Sequence, residues 1–197
     1  MSYAFLSDTY ATERLKVLSV WSMFQDQDLP VRPHASDPRG RSVREQMIHQ
    51  CVSENLWFIN ILGIDVSAPP LPDSETRLEF MRRYAQDSAR RLETLRTKVA
   101  AWWEEEVSFF DVPRSRAWVM VRRIAHTAHH RGQQTALLRM LGRSLHSTYG
   151  PSADTGGLMQ NQAPTIYAYP DEDALIADGA KRPLPGPGEK PPTERPD

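Results

Sequence analysis

The chain has 197 residues, with 24 Lys+Arg against 25 Asp+Glu, a formal net charge of −1, six His and one Cys. That length suits one domain, or one domain with a tail, and can bury a substantial core. The balanced charge excludes a globally basic nucleic-acid binder and an acidic disordered chain, and the single Cys51 excludes an internal disulfide framework or a multi-Cys metal site.

The opening residues, MSYAFLSDTYATERLK, lack the basic start and long apolar stretch of a signal peptide, and the chain has no uncharged run long enough for a membrane span. A soluble, cytoplasmic protein is therefore expected. The first amphipathic segment runs roughly from Asp8 to Phe24, with Leu15, Leu18, Trp21 and Phe24 as its apolar positions. Residues 25–41 hold Pro30, Pro33, Pro38 and Gly40, which forbid a continuous helix. Ser42-Val43-Arg44-Glu45 has the form of a capping box, in which hydroxyl and carboxylate each satisfy an end amide. The second helix that it opens continues to about Leu62, with Ile48, Val52, Leu56 and Ile59 at helical spacing. Gly63 and the proline-rich stretch Ala68–Pro72 stop it.

Leu78, Met81, Ala85, Ser88, Leu92, Leu95, Val99 and Trp102 mark a third helix, at the alternating spacings of bundle packing. Asp73 or Ser74 is its expected cap. Glu104-Glu105-Glu106 opposes the helix dipole at the far end, so the helix should fray or stop there. The fourth helix is predicted from about Pro113, in its first turn, to Leu141, with Gly142 as the stop. Short extended pieces are expected only near Val107–Phe110 and Thr165–Tyr169. The implied fold is all-α: an antiparallel four-helix bundle over residues 1–145, whose long first connection permits a crossover. Residues 146–180, with Tyr149, Leu158, Ile166, Tyr167 and Tyr169, read as a long irregular extension that packs on the bundle. Residues 181–197 read as a disordered Pro-rich tail.

Three of the six histidines fall within Ile124–Arg131. His126 and His130 lie about 40° apart around a helix and one turn apart along it, on the arc of Val119, Gln133, Leu137 and Leu141. His49 sits beside the predicted stripe of the second helix and can also face inward. Burying imidazoles together without a shared partner is costly, and a divalent metal resolves that cost. Two His at i, i+4 and one from a facing helix make three ligands and leave positions open for water or substrate. Each residue also has an ordinary reading: His49 as a hydrogen-bonded core residue, and the pair as inward side chains of a common helix. His129 reads as an edge residue, and His34 and His146 carry no signal. The pattern is not that of a zincin, because Thr127 stands where that signature needs Glu. Cys51, about 160° from His49 around its helix, is a poor ligand candidate.

His126-Thr127-Ala128-His129-His130-Arg131-Gly132-Gln133 resembles the H-x-x-x-H-R-G-Q motif of the DinB/YfiT-like superfamily. The resemblance covers roughly residues 5–142, and His49 stands where that family places a further His on its second helix. It implies a bundle of non-simple helix order and a divalent metal (Ni, Zn or Fe) on His49, His126 and His130. It also implies a homodimer and a small-molecule substrate. Family members of known activity use the metal to activate a low-molecular-weight thiol. Gln133 could bond a metal-bound group or simply pack; Glu45 could orient His49 or only cap its helix. Gly132, which weakens a helix, suggests close approach of a neighbouring helix.

Three functions follow as expectations. The first is a metal-dependent transferase or hydrolase that activates a small thiol or water. The second is a non-enzymatic, stress-related metal-binding protein. The third is DNA binding, suggested by seven Arg and no Asp or Glu between Pro113 and Ser152. Against it, Arg116, Arg122, Arg123, Arg131 and Arg139 spread around the helix and are expected to pair with acidic faces such as Glu104–Glu106.

Overall fold

The computed structural model describes residues 2–159 and 162–186; positions 187–197 of the predicted tail lie outside the described residues. In chain order the elements are α1 (Ala4–Ser22), α2 (Val43–Asn60), α3 (Arg77–Arg96), α4 (Ala100–Glu104), β1 (Glu106–Phe109), β2 (Val112–Ser115), α5 (Arg116–Met140) and α6 (Glu172–Ile176). β1 and β2 form an antiparallel hairpin.

The four long helices enclose the core. α1 packs on α3 and α5, and α2 packs on the same two, so α1 lies diagonally across from α2. Side-chain pairs give the directions. Arg44 meets Glu75 just before α3, and Glu54, further along α2, meets Arg91, further along α3; these two helices run parallel. Gln50 and Ser53 meet Gln134 and Arg123 in reversed order, so α2 and α5 are antiparallel. Arg14 bonds Ala85 while Tyr3 stacks near Trp103 beyond the end of α3, which sets α1 antiparallel to α3. The order is up, down, down, up, with α1 and α2 on opposite corners across the first connection, where the sequence left room for a crossover, and with α2 and α3 as parallel neighbours. A parallel α2–α3 pair requires the chain to return the length of a helix. Residues 61–76 do so: Val66 accepts from Arg90 near the end of α3, and Leu71 packs on the core further along.

Local chemistry sets most element ends. The Ser42/Glu45 capping box is formed, with Glu45 N donating to Ser42 Oγ at 3.2 Å and Ser42 N to Glu45 Oε2 at 2.6 Å. α3 is capped by Thr76 and not by Asp73 or Ser74. It stops at Arg96, because the chain turns at Thr97 and re-enters as α4 to bury Trp103 beside Tyr3; Val99 is left exposed. Pro113 lies in β2, where an edge strand tolerates its missing N–H, and Ser115 caps α5. Gly142 ends α5 at φ +67°, a conformation open to glycine. The extended piece expected near Thr165–Tyr169 forms no strand.

The apolar stripes of α1 and α2 were only partly read from sequence. Leu15 and Leu56 are exposed, and the buried face of α2 carries Val43, Met47, Gln50, Cys51, Glu54 and Phe58. The reason is a polar core. Glu54 is fully buried; Tyr10 donates to its Oε1 at 2.6 Å and Tyr84 to its Oε2 at 3.1 Å. Arg91 approaches Oε1 at 3.3 Å and Arg123 approaches Oε2 at 3.7 Å, both guanidiniums being buried. One carboxylate on α2 thus joins α1, α3 and α5.

The extension lies against the bundle. Ala168, Tyr169 and Leu175 enter the core cluster, Glu172 pairs with the buried Arg14, and Asp154 pairs with Arg139. His146, silent in the sequence, donates from Nε2 to Arg182 O at 2.7 Å. Among the described residues no helix is long and apolar enough to cross a membrane.

Replacing Glu54 by Ala leaves two buried guanidiniums without their carboxylate and should cost about 3–5 kcal/mol of stability. Urea denaturation of Glu54→Ala against the parent chain measures this; a loss under 1 kcal/mol, the range of a surface pair, would contradict it.

Candidate metal centre

Antiparallel packing of α2 on α5 brings His49 opposite His126 and His130. Ring centroids are 4.6 Å apart for His49–His130, 5.4 Å for His49–His126 and 4.5 Å for His126–His130. One nitrogen from each ring lies within 4.8 Å of the others. His130 is buried, and the other two are partly so.

The hydrogen bonds assign the nitrogens. His130 Nδ1 lies 2.9 Å from Gln133 Oε1, an acceptor, so the proton sits on Nδ1 and the Nε2 lone pair faces inward. That lone pair is 3.2 Å from His126 Nε2. The Gln133 amide nitrogen meets His129 Nε2 at 3.1 Å, so Gln133 bridges the two histidines as its amide is oriented. His126 Nδ1 is buried and has no partner.

The trio is held neutral. Burial, then the nearby Arg41, His130 and Arg123 charges, bring His49 down to about 4. Burial, then Arg123 and the other imidazoles, bring His126 down to about 3. His130 is lowered mainly by burial, against a raising bond from Gln133. Neutral imidazole is the form that binds a metal. Two nitrogens bound at 2.0–2.1 Å in a tetrahedral site lie about 3.3 Å apart, close to the His126–His130 spacing. The donor set of three imidazoles therefore fits a borderline divalent cation.

Other candidates resolve differently. Glu45 is committed to Ser42 and to Arg32 at 3.2 Å, which makes it a cap and not a partner of His49. Gln133 bonds a site imidazole directly. His129 is exposed and touches the site through Gln133. A Cβ on Gly132 would meet nothing within 4 Å, so no helix approaches there. Cys51 is buried in the core, where burial pushes its thiol up. Arg116, Arg123, Arg131, Arg139 and Arg143 each pair with a carboxylate: Glu105, Glu54, Glu13, Asp154 and Asp28.

Two neighbours were not singled out from the sequence. Trp57 stacks on His126 at 5.8 Å and 21°. Arg123 lies 5.6 Å from the Trp57 ring and bonds Ser53 and Thr127, each at 3.1 Å. Trp57 was discoverable, being two turns beyond His49 on the same face; a buried arginine facing a carboxylate on another helix leaves no local signal.

The sequence matches the DinB family over residues 11–162, which include all three histidines. The chain belongs to the DinB family. In fold it is similar to a DinB-like protein from Bacillus cereus ATCC 10987, at 17% identity and TM-score 0.64, covering 75% of this chain and 97% of that one. It is also similar to the DinB-like protein YjoA from Bacillus subtilis, at 11% identity and TM-score 0.54, covering 71% and 93%. No curated protein matches this DinB-family chain by sequence.

Because His49 and His126 titrate below the ordinary imidazole value in the fold, the unfolded chain binds more protons between about pH 6.5 and 4. Metal-free protein should lose stability as pH falls through that window, by at most about 1.4 kcal/mol per pH unit for each imidazole. Denaturant midpoints at pH 7.5 and 5 test the sign, and His126→Leu should flatten the slope. Cys51 should resist thiol reagents at pH 8 in the native state and react once unfolded, as mass-monitored alkylation would show.

Proposed function

We propose that this DinB-family protein binds one divalent ion through His49, His126 and His130 and is a metal-dependent transferase or hydrolase acting on a small molecule. The observation that carries the reading is the pair of Nε2 atoms 3.2 Å apart in a trio of neutral imidazoles. His130 keeps its proton on Nδ1, so its Nε2 lone pair faces His126 and the centre of the trio, where it can accept either the Nε2 proton of His126 or a cation. When bound, such an ion lowers the pKa of a coordinated thiol or water and polarises a carbonyl. The chain's own part is to orient and to shield. Gln133 fixes the His130 tautomer, Trp57 covers one face of His126, and Arg123 adds positive charge beside the site, favouring an anionic nucleophile.

With Cys51 sealed in the core, a reacting thiol would come from a small cosubstrate. Nickel, zinc and iron all suit three imidazoles.

Elemental analysis of the purified protein should find about one divalent ion per chain, and folded His130→Ala should lose it. Full metal content in that variant would end the reading. Gln133→Ala should keep the fold and weaken the metal about 10–100-fold, as removal of a partner of a ligating His does. Thiol-transfer assays with a panel of electrophiles then separate turnover from simple metal storage.

A further inference from the structure

Hydrogen bonds along one edge of α5 form an unbroken row from the surface to the imidazole trio. His129 Nε2 lies 3.1 Å from the Gln133 amide nitrogen, Gln133 Oε1 lies 2.9 Å from His130 Nδ1, and His130 Nε2 lies 3.2 Å from His126 Nε2. Helical spacing builds the row, since positions three and four apart are neighbours on a helix. Its outer end, His129, is exposed, whereas His130 is buried.

Each member offers a donor at one end and an acceptor at the other: a neutral imidazole through its two nitrogens, the amide through its nitrogen and oxygen. Groups of this kind joined end to end must all point the same way, because turning one member sets donor against donor or acceptor against acceptor. The row therefore has two states. In the state observed, Gln133 donates to His129 and accepts from His130 Nδ1, and the lone pair of His130 Nε2 faces the centre of the trio. In the reverse state His129 donates to Gln133, the amide donates to His130 Nδ1, and the proton of His130 stands on Nε2, where a cation would bind. Only the first state lets His130 take an ion, since a ligating nitrogen must be free of its proton.

We propose that His129 is a positioning residue for the metal centre: by presenting an acceptor to Gln133 it holds His130 in the tautomer that takes an ion. Its use rests on the metal reading, while the row itself belongs to the metal-free chain. An acceptor at position 129 then strengthens ion binding and a donor there weakens it, with every ligand unchanged. The control is exercised from an exposed position of α5, outside the packed core.

The test replaces His129 by a pure acceptor, His129→Glu, or by a pure donor, His129→Lys; both new side chains favour a helix. NMR of the imidazole nitrogens in metal-free protein should place the His130 proton on Nδ1 in the parent and in His129→Glu, and on Nε2 in His129→Lys. Zinc affinity, measured by chelator competition, should be higher in His129→Glu than in His129→Lys. That ratio should be about ten-fold larger than in the same pair of variants made together with Gln133→Leu. The through-space field of the new charge is common to both backgrounds, so the excess is what passes through Gln133. A His130 tautomer that is the same in all three proteins, or an affinity ratio that Gln133→Leu leaves unchanged, overturns the proposal while the metal reading stands. A parent chain that takes up no zinc removes both.

Discussion

The carboxylate of Glu54 sits in the centre of the bundle among donors from the three other long helices. A buried charge of this kind is costly unless every oxygen is met by a partner in good geometry. Meeting Tyr10, Tyr84, Arg91 and Arg123 together requires the four helices to take one arrangement and one axial register. Slippage of α2 by a turn would strand the carboxylate in apolar surroundings. Apolar contacts are forgiving of such slippage, since one aliphatic side chain can replace another. The polar centre therefore supplies the specificity that the leucines and phenylalanines around it do not.

That constraint reaches the histidines directly. His49 stands between one and two turns before Glu54 on α2, and Arg123 stands one turn before His126 on α5. Fixing Glu54 against Arg123 fixes the height at which the two helices cross, and with it the facing of three imidazoles. The second polar pair, Gln50 with Gln134 at 2.8 Å, locks the same interface on the other side of the trio. Arg123 serves both ends of this arrangement: it neutralises Glu54 in the core, and its charge helps keep His126 unprotonated.

Around this centre the long connections carry what the helices cannot. The return of residues 61–76 makes a parallel α2–α3 pair feasible, and its prolines suit an extended path along a helix. The hairpin between α4 and α5 sets aromatic side chains over Trp57. On the far side, Glu172 reaches the buried Arg14, so the extension completes an ion pair that the bundle alone would leave open.

Much of this was legible in the residues themselves. Local signals depend on neighbours a few positions away, so the capping box at Ser42, the stop at Gly142, the third helix's repeat and the i, i+4 histidines could all be read in the chain. The octet from His126 to Gln133 carried the family. Stripes drawn from hydrophobicity misplaced Leu15 and Leu56, because Glu54, Gln50 and Gln134 occupy core positions that a polar side chain would ordinarily shun. Their burial is affordable only through partners on other helices, and no local pattern announces a partner more than thirty residues away. The sequence by itself determined the four long helices, the start of α2 and the end of α5, and which side chains could bind a metal. Only the tertiary structure decided the up, down, down, up order, the pairing of Gln133 with His130 and the seating of Trp57 on His126, because each depends on the distance between elements that the polar core brings into register.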